Sequence, residues 1–370
     1  MTGMAPVTAR AMRGLALAQI RYVTPVRPGD ADGPTAEVYR QVEREFGVLA
    51  PPVVLHSPAP ELMTGAWLML REALIAPGVV DRAVREAVAA GVSAANSCPY
   101  CVSVHGATLR GLAGDQAART IVGGRLTEVA DERLREAAHW ATTASLRPRD
   151  GEAPHMPFTA REAPEYVGVA VLFHYLNRMV NTFLEDAPMP ASAPRAGLGM
   201  VQRVLSAMIR GASRRIGAAG DSLALLPWEP VPADLHWAQA SPHIAQAFAR
   251  AAGAVDRAAR QVVAPSVRDL LDRELRVWDG APRGLGRGWL DALLATLPPA
   301  DRRAGRLALL VAFASYQIDA GVIEDYRGDR PDDDAGLVVL ASWAALSAAR
   351  RVGGWTAGAP AANGGPGGTG

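Results

Sequence analysis

Residues 86–105 read EAVAAGVSAANSCPYCVSVH, and this stretch decides both the fold class and the chemistry to look for. Its first ten residues are mostly Ala and Val, with Glu86 on a helical face shared with Ala83, Ala87 and Ala90, small residues that let a second helix approach. Asn96 and Ser97 are cap-forming residues and Pro99 suits a first helical turn, so one helix is expected over Val79–Ala95 and another over Cys98–Leu112. The spacing of three then puts both thiols on one face of the second helix's first turn, where unpaired N–H groups and the helix dipole favour an anion. The dipole contributes only about 0.3–1 kcal/mol, less than one pKa unit, so a reactive thiolate needs a further contribution. His105 lies one turn beyond Cys101 and is suited to proton transfer. A carboxylate facing a thiol directly would raise its pKa, so Glu86 is expected to accept a proton or to orient His105. Cys98, Cys101, His105 and Glu86 are therefore the candidate catalytic residues.

Outward from this stretch, apolar residues recur at three- and four-residue spacings and strand-like alternation is nearly absent, which predicts an all-α fold. Further helices are expected over Thr35–Phe46, Pro60–Leu74, Asp115–Val122, Asp131–Leu146, Ala160–Glu185 and a basic Ala196–Ala218. The 370 residues carry 38 basic and 37 acidic side chains, a formal charge of +1, with no long block of like charge. That balance disfavours a nucleic-acid partner, and the absence of a long uninterrupted apolar run disfavours a membrane partner. Every basic residue is Arg, a pattern of codon usage rather than of phosphate binding. Two cysteines cannot form a disulfide framework for a chain of this size, and their close spacing points to redox or metal chemistry in a reducing compartment. The apolar stretch 14–20 is interrupted by Gln19 and followed by Arg21, so it is read as a leading segment and not as a signal peptide, and the expected location is cytoplasmic.

Five regions are expected: a leading segment 1–30, a redox domain 31–190, a helix and Pro-rich linker 191–233, a degenerate second repeat 234–353, and a disordered Gly-rich tail 354–370. The repeat rests on two correspondences. Ser57-Pro58 and Ser241-Pro242 each open a helix, and the segment from Phe158 to Asp186 resembles that from Pro299 to Asp325, while nothing in the second half matches 94–112.

Glu86, Cys98, Cys101 and His105, at these offsets, resemble the signature of the AhpD-like alkylhydroperoxidases of the carboxymuconolactone decarboxylase superfamily. The resemblance is strongest over Thr35–Asp186, including residues 173–178, FHYLNR, and carries no motif into the second half. It implies an all-helical and often oligomeric protein, hence a possible homo-oligomer, in which Cys101 attacks a hydroperoxide, Cys98 resolves the sulfenic acid to a disulfide, and Glu86 and His105 relay protons. It also implies no bound cofactor, but an external dithiol, a thiol or lipoyl-type reductant protein. The chain departs from the pattern at Tyr100, where well-studied members carry a His before the distal cysteine.

Other readings stand beside this one. A decarboxylase or isomerase of the same superfamily would use Glu86 and His105 as acid and base, and a non-catalytic sensor would oxidise its dithiol without turnover. Cys-Pro-Tyr-Cys also resembles glutaredoxin, but no strand precedes it. Haem attachment needs His where Val102 stands, and zinc lacks a second cysteine pair, so no metal is expected. His174, Asn177 and Arg178, on a strongly apolar segment, require buried partners and either shape the pocket or form a structural hydrogen-bond set.

Overall fold

The structure is a computed structural model that describes residues 12–148, 155–188, 211, 212, 215–328 and 332–356. The expected basic helix Ala196–Ala218 lies mostly outside them, as does most of the Gly-rich tail. Among the described residues the chain is helical, and its one extended pairing is an isolated bridge between Ile20 and Leu184.

The first half runs through α1 (12–18), α2 (Gly33–Glu45), α3 (Pro51–Val54), α4 (Pro60–Leu70), α5 (Arg82–Ala95), α6 (Pro99–Ala113), α7 (Asp115–Val122), α8 (Glu132–Thr143) and α9 (Ala163–Phe183). Pro stands in the first turn of α2, α3, α4, α6 and α9, where its missing N–H is no loss. The last turn of the expected helix Pro60–Leu74 is a π-helical turn, Arg71–Ile75, whose buried Arg71 pairs with Glu45 at 2.7 Å and Glu72 at 2.5 Å. Helix α5 begins later than expected because the N–H groups of Val79 and Val80 donate to the Glu165 carboxylate, at 2.7 and 3.1 Å, instead of entering a helix.

The second half contains α10 (Pro242–Val262), α11 (Pro265–Val277), α12 (Trp289–Ala295), α13 (Arg302–Ala314), α14 (Ala320–Arg327) and α15 (Asp334–Thr356). Helix α4 packs along α10 and α9 along α15, and residues on both sides of the Pro-rich joint enter one continuous buried core. The segment matched in sequence to α9 is not a single helix: it breaks after Ala314 into a 3-10 turn, Ser315–Gln317, and then α14, whose N-cap Asp319 accepts from the Val322 N–H. Helix α15 is long and apolar enough to cross a bilayer, yet it is 78% buried within the protein as a central packing helix. It also carries residues 354–356, expected in a disordered tail, because Trp355 packs on Trp278 at 5.8 Å and the Thr356 hydroxyl donates to the Val352 carbonyl.

The helix that bears Glu86 is pressed closely onto α8. A Cβ at Gly91 would lie 2.7 Å from the Ala141 methyl and 2.8 Å from the Ala138 carbonyl oxygen. Helix propensity alone favours Gly91→Ala by about 1 kcal/mol, whereas overpacking against a backbone carbonyl costs about 1–3 kcal/mol. Urea unfolding should therefore show Gly91→Ala to be less stable than the parent; a stabilised variant would refute this close contact.

Candidate active site

Helix α5 is set in place by the residue before Glu86. Arg85 donates to the Ala76 carbonyl at 2.8 Å and lies 3.7 Å from the Glu165 carboxylate, with both side chains buried. With Arg85 committed to that side, Glu86 points inward and is fully buried. Its Oε1 accepts from Arg82 Nε at 2.7 Å, and its Oε2 is 2.6 Å from His105 Nδ1. Burial alone would raise the Glu86 carboxyl, but Arg82 and His105 outweigh it and hold the group at about 2. An ionised Glu86 accepts the Nδ1–H of His105, so the neutral ring keeps Nε2 as its basic nitrogen. The edge of the same ring packs against Phe173 of α9, with centroids 4.5 Å apart.

Asn96 and Ser97 terminate α5 instead of capping α6. Ser97 takes a left-handed conformation with φ +51°, and the Cys98 N–H donates back to the Ser93 carbonyl at 2.9 Å, the bond pattern of a left-handed helix stop. Cys98 is thus the N-cap residue of α6 and lies just outside its first turn, while Cys101 lies within it. Both cysteines are free and buried. Burial first, and then Cys98, push the Cys101 thiol well above its ordinary value, and the Asn177 amide on α9 acts against them. A helix-terminus effect of about 0.3–1 kcal/mol does not offset desolvation of a buried sulfur, so the first-turn position alone leaves Cys101 a thiol, and a further contribution is needed as expected from the sequence.

Cys101, Tyr100 and His105 line a cavity of about 280 Å³. Its other walls are mainly apolar and come from α1, from the α2–α3 region and from α9, among them Met12, Leu15, Leu49 and Leu176. The leading segment is therefore a wall of the site, held down by the Arg13 guanidinium, which donates to Glu43 at 2.5 and 2.6 Å. Burial, followed by the two neighbouring cysteines, raises the Tyr100 hydroxyl far above its ordinary value, so it remains a neutral proton donor. Cys98 lines a different depression, between α6 and α7, together with Pro99, Arg110 and Arg119.

Of the three polar residues noted on α9, Asn177 is fully buried and donates to the Ser93 hydroxyl of α5 at 3.0 Å. Arg178 turns to the second half and donates to the Ala312 carbonyl at 2.9 Å. His174 Nδ1 is 3.0 Å from the Asn96 amide nitrogen. Sequence reading overlooked Arg82, although its spacing of four from Glu86 on one helix was the available signal. Among the described residues, no three His, Cys, Asp or Glu side chains form a metal-holding group.

The depressed Glu86 carboxyl has a consequence for stability. A carboxylate whose folded pKa lies below its unfolded value stabilises the fold above the ordinary carboxyl range, and that contribution is lost as pH falls through the folded value. The difference in thermal midpoint between the parent and Glu86→Gln should accordingly narrow as pH is lowered from about 5 towards about 2. A difference independent of pH would show that Glu86 is not held ionised.

Comparison with known proteins gives the chain's kinship. The profile of the carboxymuconolactone decarboxylase family matches residues 61–150, a span that contains Glu86, Cys98, Cys101 and His105. A protein of Mycobacterium tuberculosis (strain ATCC 25618 / H37Rv) named alkyl hydroperoxide reductase is 34% identical over 336 residues, covering 91% of this chain and 94% of that protein. Kinship therefore extends through both halves, and the chain belongs to the carboxymuconolactone decarboxylase family as one of its AhpD-like members.

Proposed function

We propose that the protein reduces organic hydroperoxides through a dithiol/disulfide cycle of Cys101 and Cys98. The observation that carries this reading is the pairing of two free, buried thiols with a histidine whose Nδ1 meets a buried carboxylate at 2.6 Å, all on one short helical segment and its neighbour. Cys101 and His105 line the apolar cavity, and Cys98 lines a separate depression.

In this reading the resting Cys101 is a thiol. His105 Nε2 takes its proton as substrate arrives, while ionised Glu86 stabilises the imidazolium through Nδ1–H. The thiolate attacks the terminal peroxide oxygen, the O–O bond breaks, and the departing alkoxide takes the proton from His105 to leave as an alcohol. Cys101 is now a sulfenic acid. The Cys98 thiol, deprotonated by the same relay, attacks that sulfur, the S–O bond breaks, and hydroxide leaves as water with the proton that Cys98 gave up. One hydroperoxide and two thiols become one alcohol, one water and one disulfide. An external thiol or lipoyl-type reductant then attacks the disulfide and restores both thiols. The depression beside Cys98 gives that reductant an approach separate from the substrate cavity. Such a cycle needs no bound cofactor and suits a reducing compartment such as the cytoplasm.

Purified protein supplied with a dithiol should consume an organic hydroperoxide over many turnovers. Cys101→Ser should abolish this, and Cys98→Ser should stop it after a single turnover, with the Cys101 sulfenic acid trappable by a dimedone probe. Glu86→Gln should slow turnover by about 10²–10⁴-fold if the relay sets the rate. Equal peroxide consumption by the parent and Cys101→Ser would end the proposal. Oxidation of the parent by one equivalent of peroxide without further consumption would identify a redox sensor instead.

A further inference from the structure

The turn that joins α5 to α6 leads directly into Cys98, and most of it faces solvent. Ala94, Ala95, Ser97 and Pro99 are exposed, and Ser97 holds a left-handed φ of +51°, which a non-glycine residue keeps only where its surroundings impose it. Local backbone bonds close the turn, among them the Cys98 N–H to the Ser93 carbonyl at 2.9 Å. Asn96 ties it to α9.

The face of α9 that meets Asn96 is formed by His174, Asn177 and Asn181, at spacings of three and four on a largely apolar helix. Asn96 Nδ2 lies 3.0 Å from His174 Nδ1 and 3.0 Å from Asn177 Oδ1, and the Asn96 carbonyl accepts from Asn181 Nδ2 at 3.3 Å. Neighbouring bonds fix the direction of each contact. The Ser93 hydroxyl donates to the Ala89 carbonyl at 2.7 Å, so its oxygen takes Asn177 Nδ2 at 3.0 Å and turns Asn177 Oδ1 towards Asn96. Arg178, which can only donate, faces His174 Nδ1 at 3.5 Å, so that ring nitrogen is an acceptor. Both hydrogens of the Asn96 amide are thus engaged. Asn181 also donates to Ser315 Oγ at 3.1 Å and Arg178 to the Ala312 carbonyl at 2.9 Å, so the second half braces the face of α9 that grips the turn.

We infer that Asn96 is the positioning residue for Cys98: clamped by His174, Asn177 and Asn181, it holds the α5–α6 turn in the shape that presents the Cys98 thiol to Cys101. The Cys98 carbonyl accepts from the Val102 N–H at 3.0 Å, so Cys98 stands one turn before Cys101 and closure of the disulfide depends on the order of the turn that precedes it. A turn ordered beforehand spares the closing step the entropy of ordering it. The inference rests on the reading that Cys98 resolves the oxidised Cys101.

The test is peroxide-free closure of the disulfide with dithiobis(nitrobenzoate). One protein thiolate attacks the reagent, forming a mixed disulfide and releasing a first thionitrobenzoate; the other thiol then attacks the protein sulfur and displaces the second. Whichever cysteine reacts first, the second release requires the two sulfurs to meet. Asn96→Ala should leave the first release within about twofold of the parent and slow the second about tenfold. The reduction potential of the pair in a glutathione buffer should rise by about 30 mV, the equivalent of tenfold for a two-electron couple. Asn181→Ala, which keeps both contacts of Asn96 Nδ2, should give smaller changes in the same directions, and it carries the test alone where Asn96→Ala does not fold. Parent-like closure in a folded Asn96→Ala, or in Asn181→Ala when that variant stands alone, overturns the inference, as does an equal slowing of both releases. Slowed closure in a protein that consumes no hydroperoxide would sink the proposed function and leave the Asn96 assignment standing, and peroxide turnover with unchanged closure would do the reverse.

Discussion

A carboxylate with no contact to water must be satisfied from within the protein, and Glu86 is such a group. Arg82, one turn earlier on the same helix, takes one oxygen, and His105 on the next helix takes the other. The bond to His105 ties α5 to α6 and fixes which ring nitrogen stays basic, and the ring itself lies against α9 through Phe173. One buried charge therefore joins three helices beside the cavity. Removing either partner would leave an uncompensated charge in the interior, a costly arrangement.

The cysteines follow a different logic. Their place at the start of a helix suggests stabilised anions, yet burial dominates and Cys101 rests as a thiol. In the proposed cycle, a protonated, sheltered sulfur is protected from indiscriminate oxidation until substrate fills the cavity and His105 takes its proton. The second half contributes to this site indirectly. Helix α9, which carries Phe173 and Asn177, is backed by α15, and Arg178 extends from it to the Ala312 carbonyl. The second half thus buries the far side of the helix that completes the site, a role that needs no cysteine motif.

Much of the helical order is readable along the chain because the signals are local. First-turn prolines mark the starts of α4, α6 and α9, and the small-residue face around Ala83, Ala87 and Ala90 announces a closely packed α5. Other boundaries depend on distant partners: α5 starts late because Glu165, over eighty residues away, takes the N–H groups of Val79 and Val80. The break at Ser315 likewise escapes a comparison of apolar patterns, since α9 and the α13–α14 region share composition but not continuity.

The chemistry of the site divides in the same way. The residue types Glu86, Cys98, Cys101 and His105 and their offsets are properties of a linear motif, because neighbours on one helix or on consecutive helices are placed by the helical repeat itself. The protonation of Cys101, the roles of Ser97 and Asn96 as the end of α5 and the wall supplied by α1 are not. Each depends on desolvation or on a contact between segments far apart in the chain, and such energies exist only once the helices have packed.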